Sequence, residues 1–300
     1  MRIRTQSKFH SINPKTMSNL INDNDTLKKY VPNTLKAVAG EQSLFDKIHP
    51  QLQKSELYLT KRFLSEETKT NLITVATDDP LLHYCRMATV ADTMLSTVPQ
   101  LDLILTPNGF GIVSNQNVVP ASKERIERLT RSLEKLRDDA FVIILLMLPN
   151  AHKWTESEQY ASFAATMFPN FEIVNQLGYT EHIWQHYLEI QARLKAIEHH
   201  LESYYFSHEL MTTLRTANIL NRWESTHAPV QYKRIYQRIA AIEFSVLRID
   251  EYPMPSIMDT VNIIRTAKGS IFNEWKASET AKLFENHGYK NKKQSSGYFF

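Results

Sequence analysis

Apolar residues recur along most of this chain at the three- and four-residue spacing that is typical of amphipathic helices. Leu52, Leu59 and Phe63 lie on one side of a helix that the pattern predicts from about 43 to 64. The same spacing predicts a similar helix from about 180 to 206. The hydrophobic pattern therefore indicates a mainly α protein.

One stretch departs from the helical spacing. Alternate positions are apolar from Leu101 to Leu105 and again from Phe110 to Val113, which is the two-residue period of a β-strand. Thr106-Pro107-Asn108-Gly109 separates the two runs, and Asn-Gly tolerates the positive φ angles of a tight turn. The sequence predicts a β-hairpin within 101–119, followed by a helix that begins after Pro120-Ala121-Ser122.

The string LTPNGFGIVSNQNVVPASKERIERL, residues 105–129, carries a family resemblance. It resembles the signature of an uncharacterised family encoded by phages and prophages of gut Bacteroidales, including crAss-like phages. Members of that family look like head-to-tail connector (adaptor) proteins of tailed phages. The match is sharp over these residues and loose elsewhere.

The resemblance implies a virion structural protein that joins the portal to the tail and continues the DNA channel. The implied partners are further copies of the chain in a homo-oligomeric ring, by resemblance a dodecamer, then the portal protein and the next tail or ring protein. DNA is only passing cargo. The implied location is the head-to-tail junction of the virion, after assembly in the host cytoplasm, and neither enzymatic activity nor a cofactor is implied.

The chain also contains an internal similarity. Leu52 to Glu67 aligns without a gap to Leu194 to Glu209, at an offset of 142 residues. Two further pairings follow in the same order: Pro80 to Leu95 with Pro229 to Phe244, and Pro120 to Leu136 with Pro255 to Ile271. Any one pairing of amphipathic helices arises easily by chance, so the shared order is what indicates a duplication. Leu59 and Leu201 are then expected to be equivalent and buried, as are Phe63 and Tyr205.

The predicted fold is mainly α, with two related helical subdomains, one β-hairpin inserted in the first, and extended termini. The predicted boundaries are a basic N-terminal arm at 1–16, a first helical subdomain at 17–149 with the hairpin at 101–119, a connecting segment at 150–179, a second helical subdomain at 180–288 and a C-terminal tail at 289–300.

Composition changes this picture little. The 300 residues are 42% hydrophobic, enough for a sizeable core, and the single cysteine, Cys85, excludes an intrachain disulfide and favours a reducing compartment. The longest apolar run, Phe141 to Leu148, is far shorter than the roughly 20 residues that span a bilayer. Polar residues follow the basic N-terminus, so no secretory signal is expected. These features predict a soluble protein with no membrane partner.

Charge is unevenly distributed within the net +3. Residues 1–16 carry four basic side chains without an acid, and 288–300 carry Lys290, Lys292 and Lys293 without an acid. Such arms attract acidic protein surfaces or nucleic acid, although solvated termini have the same composition. The predicted interface residues are those of the hairpin and the tail: Leu103, Leu105, Asn108, Phe110, Ile112, Lys290, Lys292, Lys293, Tyr298, Phe299 and Phe300.

No residue pattern indicates an active site. His182 and His186 have a metal-binding spacing but lack the Glu of a zinc-protease motif, and His199 and His200 would need ligands from elsewhere. Cys85 is predicted to be a small buried residue, with His83 on another face. No catalytic residue, metal or cofactor is therefore predicted.

Two other classes of function remain open. One is a non-enzymatic helical module that binds a protein partner, such as an assembly chaperone. The other is a metal-dependent enzyme that uses the histidine-rich second half.

Overall fold

The computed structural model describes residues 20–31, 43–98, 103–106, 109–112 and 122–285. The protein is mainly helical, which confirms the fold class predicted from the spacing of apolar residues. The chain divides into two units, Met1–Trp154 and Thr155–Phe300. Among the described residues, no helix combines the length and the apolar character that crossing a membrane requires.

The first unit contains α1 (Asn24–Lys28), α2 (Leu44–Arg62), α3 (Glu66–Thr74), α4 (Pro80–Thr97), β1 (Leu103–Thr106), β2 (Gly109–Ile112) and α5 (Lys123–Met147). Local sequence sets where these helices begin. The Ser43 and Ser65 hydroxyls accept hydrogen bonds from backbone N–H groups in the first turns of α2 and α3, and Pro80 occupies the first turn of α4.

Helix α4 packs against both α2 and α5. The shared core includes Leu52 from α2, Val90 and Met94 from α4, and Leu133 from α5. Near the other end of α2, the Phe63 ring stacks on Phe141 with 4.5 Å between the ring centroids.

The two strands lie between α4 and α5, where apolar and polar residues alternate. They pair antiparallel, with Leu103 opposite Ile112 and Thr106 opposite Gly109, and they form a two-stranded sheet. The predicted turn residue Asn108 and the side chains of the strands lie outside the described residues.

The second unit contains α6 (Glu158–Phe163), α7 (Glu172–Gln176), α8 (Ile183–Leu201), α9 (His208–Ile219), α10 (Pro229–Ile249), α11 (Met254–Thr266), α12 (Asn273–Lys276) and α13 (Glu279–Lys282). Most of the predicted connecting segment, 150–179, belongs to this unit. Phe163, Met167 and Phe171 from that segment are buried, so it contributes to the core.

The helix predicted from 180 to 206 ends at Leu201 and continues as a π-helical turn, Glu202–Phe206. Ser207 follows with φ 60° and ψ 151°, and its hydroxyl accepts a hydrogen bond from the Leu210 N–H at the start of α9. Leu59 and Leu201 are both buried, as predicted. Tyr205 is only half-buried, so that part of the prediction is wrong: the wider turn buries the next residue, Phe206, instead.

In each unit a buried tryptophan donates a hydrogen bond to a backbone carbonyl at the end of the first long helix. The Trp154 indole N–H donates to the Phe63 carbonyl at 2.7 Å. The Trp275 indole N–H donates to the Tyr205 carbonyl, also at 2.7 Å. Each bond satisfies a carbonyl that the end of a helix would otherwise leave without a donor.

Candidate functional site

The most unusual chemistry among the described residues is a group of charged side chains inside the second unit, here called the acid–arginine cluster. Its members come from four elements: Glu198 from α8, Glu202 from the π-helical turn, Arg215 from α9 and Glu243 from α10. Glu198 is 1% exposed, Arg215 7% and Glu243 0%. Charged groups are rarely this buried unless they are paired, so each partner matters.

Arg215 joins two of the carboxylates. One terminal nitrogen donates to Glu198 Oε2 at 2.7 Å, and the other donates to Glu202. The second oxygen of Glu198 accepts the backbone N–H of Met167 at 2.6 Å. Both Glu198 oxygens are therefore satisfied, and the carboxyl connects α8 to α9 and to the chain that precedes α7.

Glu243 has no such partners. Neither of its oxygens receives a hydrogen bond from any residue that the structure describes. Its side chain faces the Glu198 carboxyl within hydrogen-bonding reach. Two ionised carboxylates cannot hydrogen-bond to each other, because neither has a proton to donate.

Burial is the main influence on both carboxyls. It raises the pKa of Glu198 to about 7, although the nearby Arg215 guanidinium and the Met167 N–H act in the opposite direction. Burial also raises the pKa of Glu243 well above its ordinary value, and the negative charge of Glu198 raises it further. Because both carboxyls are buried, they interact with other groups of the protein interior rather than with solvent.

A groove of about 370 Å³ lies on the same unit. Its lining includes Met167, Asn218, Tyr236 and Phe244. The Tyr236 hydroxyl donates to the Met167 carbonyl at 2.9 Å, and the Asn218 amide donates to the same oxygen at 3.4 Å. Since Glu198 holds the N–H of Met167, this residue links the groove lining to the cluster.

The histidines considered as metal ligands do not come together. His182 is the exposed N-cap of α8, whereas the His186 ring stacks on Tyr179 with 3.9 Å between centroids. His199 is exposed, and the His200 ring lies 4.5 Å from that of Tyr252. Across the part of the chain that the structure describes, no group of three or more His, Cys, Asp or Glu residues could hold a metal ion.

Cys85 is fully buried, as predicted, and burial raises the pKa of its thiol. His83 is exposed, and its ring nitrogen lies 3.3 Å from the Tyr30 hydroxyl.

Two of the basic residues on the exposed face of α5 pair with acids one helical turn away. Arg128 contacts Glu124 at 2.5 Å, and Lys135 lies 3.6 Å from Asp139. This face is therefore mixed in charge rather than uniformly basic.

The predicted interface residues of the tail, Lys290, Lys292, Lys293 and Tyr298 to Phe300, lie outside the described residues, as do those of the hairpin apart from the backbone of its strands. None of the four residues of the acid–arginine cluster was predicted from the sequence as part of a site. One signal was available, because Glu243 occupies the apolar face of α10 beside Ile239 and Val246.

Residues 31–164 are similar to a family of unknown function (DUF6712). No curated protein and no solved structure matches the chain.

Proposed function

We propose that this protein is a phage virion structural protein, a head-to-tail connector whose copies form a ring between the portal and the tail and continue the DNA channel. The observation that carries the proposal is the signature at 105–129, which contains β2 and the start of α5. The similarity to the family of unknown function spans the same stretch.

The geometry of the hairpin supports an assembly role. In a two-stranded sheet each strand keeps one edge whose N–H and C=O groups face away from its partner. A hairpin of this size is marginally stable by itself and gains from an additional strand or a packed surface. We propose that a neighbouring copy in the ring supplies that contact, with Leu103, Leu105, Phe110 and Ile112 at the interface. Portal and tail proteins would bind at the two faces of the ring.

We also propose that the two units are copies of one ancestral helical unit. In each unit the first long helix carries a buried glutamate, Glu56 in one unit and Glu198 in the other. A helix capped by a serine follows, with Ser65 in the first unit and Ser207 in the second. Each glutamate accepts a backbone N–H from the preceding segment and pairs with a cation from the next helix. The two tryptophan hydrogen bonds add a third correspondence.

The hairpin provides the test of ring formation. Deleting Thr106 to Gly111 should leave the helical circular dichroism unchanged and abolish the ring that light scattering detects for the intact chain. Val75→Ser, which changes a 75% exposed apolar side chain of the same unit, is the control and should still form rings.

Two results would contradict the proposal. If the deletion unfolds the subunit, the hairpin belongs to the core of its own unit. If the intact chain stays monomeric and binds a partner protein, the alternative of a helical binding module or assembly chaperone is favoured.

A further inference from the structure

Glu243 is a buried acid at a position where the fold does not require one. The proposed repeat pairs Leu95 with Phe244, and the same offset pairs Met94 with Glu243. Met94 is a core residue of the first unit, 6% exposed. If the repeat is correct, an apolar side chain fills this place in one unit, whereas the second unit carries a carboxyl that has no donor.

The groups that face Glu243 come from every neighbouring element of the cluster. Glu198 on α8 and Glu202 on the π-helical turn contribute negative charge, and Arg215 on α9 contributes positive charge. On its own helix, Tyr236 is near enough for the Glu243 charge to raise the pKa of the phenol. Three acids thus surround one guanidinium that already pairs with two of them.

The other charged residues near α10 are directed elsewhere. Asp259 of α11 pairs with Arg238 at 2.6 Å on a solvent-accessible surface, and Glu224 is exposed on the turn that precedes α10. The cation whose charge acts on the Glu243 carboxyl is Arg215, which already pairs with Glu198 and Glu202.

We propose that Glu243 is a protonation-dependent latch: when protonated, its carboxyl donates a hydrogen bond to Glu198 and holds α10 against α8 and α9, and loss of that proton releases α10. In the protonated state the pair has a donor and an acceptor, so the buried polar atoms are satisfied. In the ionised state two carboxylates face each other in the interior, where repulsion and lost hydration both oppose packing.

The direction of the pH effect follows from linkage. An unfolded glutamate titrates near its ordinary value of 4.5, whereas folding raises the pKa of Glu243 well above that value. The favourable contribution of the protonated latch is complete below 4.5 and is lost as the pH rises towards the folded-state pKa. Within that interval the equilibrium constant for the release of α10 rises by up to about tenfold for each pH unit.

Hydrogen exchange measured by mass spectrometry on the full chain tests the latch. Peptides from 229–249 should lose protection as the pH rises above 4.5, the ordinary value for a glutamate, after correction for the intrinsic pH dependence of exchange. Glu243→Gln keeps a donor for Glu198 but cannot ionise, so its α10 protection should fall less steeply with pH than that of the wild type and should exceed it at the upper end. The slope that remains belongs to Glu198, because burial raises the pKa of that carboxyl to about 7. Glu243→Met, which introduces the residue of the paired position, should reduce the slope to a similar extent.

Glu181→Gln changes an exposed carboxyl of the same unit and should keep the wild-type profile. A wild-type α10 whose protection does not change with pH would overturn the proposal, as would a Glu243→Gln profile that retains the wild-type slope. If neither Glu243 variant folds, the infrared spectrum of the wild type decides: a carboxylic-acid band that persists above the pKa of Glu198, about 7, supports the latch, and its absence overturns it.

Discussion

Trp154 and Trp275 illustrate how much one polar atom on a large side chain can contribute. Replacing either with Phe should destabilise its unit by about 1–3 kcal/mol through the buried carbonyl left without a donor, with a further loss from the smaller ring. Urea unfolding measures both effects, and the proposed repeat requires them to be of similar size. Trp223→Phe is the control, because this substitution reduces the ring area that contacts Tyr236 without removing a hydrogen bond of that kind. Equal losses at Trp223 and Trp275 would show that ring area alone matters.

Individual residues were predictable from the sequence where burial depends on a single helix. Leu59, Leu201 and Cys85 follow from the apolar spacing of their own helices, and all three are buried. The acid–arginine cluster was not predictable, because Glu198, Arg215 and Glu243 stand on different helices and no local spacing relates them. Only the packing of α8, α9 and α10 brings them together.

The end of α10 offers a test of how a helix terminates. Asp250 follows its last residue in the left-handed conformation, with φ 56°, and its N–H donates to the Val246 carbonyl at 2.8 Å. Glycine adopts this conformation without the strain caused by a Cβ atom, so Asp250→Gly should stabilise the second unit by about 0.5–1 kcal/mol. Thermal unfolding measures the gain. Asp250→Ala, which keeps the Cβ atom, should bring no gain, and a stabilised alanine variant would refute the argument from backbone strain.

Helices were predictable to the extent that apolar spacing continues through them. The spacing predicts a helix at about 43–64, and α2 spans Leu44–Arg62. The same spacing continues through Glu202–Phe206, where the backbone forms a π-helical turn. This turn changes the backbone hydrogen bonds but not the pattern of residue types, so the sequence did not predict it. The segment 150–179 was predicted as a connection, but it contains α6 and α7, and its buried aromatic residues were the stronger signal.

The chain combines two helical units with a basic sequence, 288–300, whose last three residues are Tyr298, Phe299 and Phe300. In a connector ring these aromatics would serve as anchors for the portal protein, and the nearby lysines would attract an acidic surface. Removing Tyr298 to Phe300 should leave subunit melting unchanged and reduce co-purification with the portal protein. Ser295→Ala is a control within the same sequence. Unchanged co-purification of the truncated chain would argue against portal binding by these residues.

The hydrogen bond between Trp154 and Phe63 also constrains when the first unit can complete its folding during synthesis. Trp154 is the last residue of its unit, so this bond cannot form until the ribosome has released almost the whole unit. Once Trp154 has emerged, every described partner of the first unit is available, while α8 to α13 have yet to leave the exit tunnel. The first unit can therefore close before the second unit has emerged, which limits the exchange of helices between the two units as the chain folds.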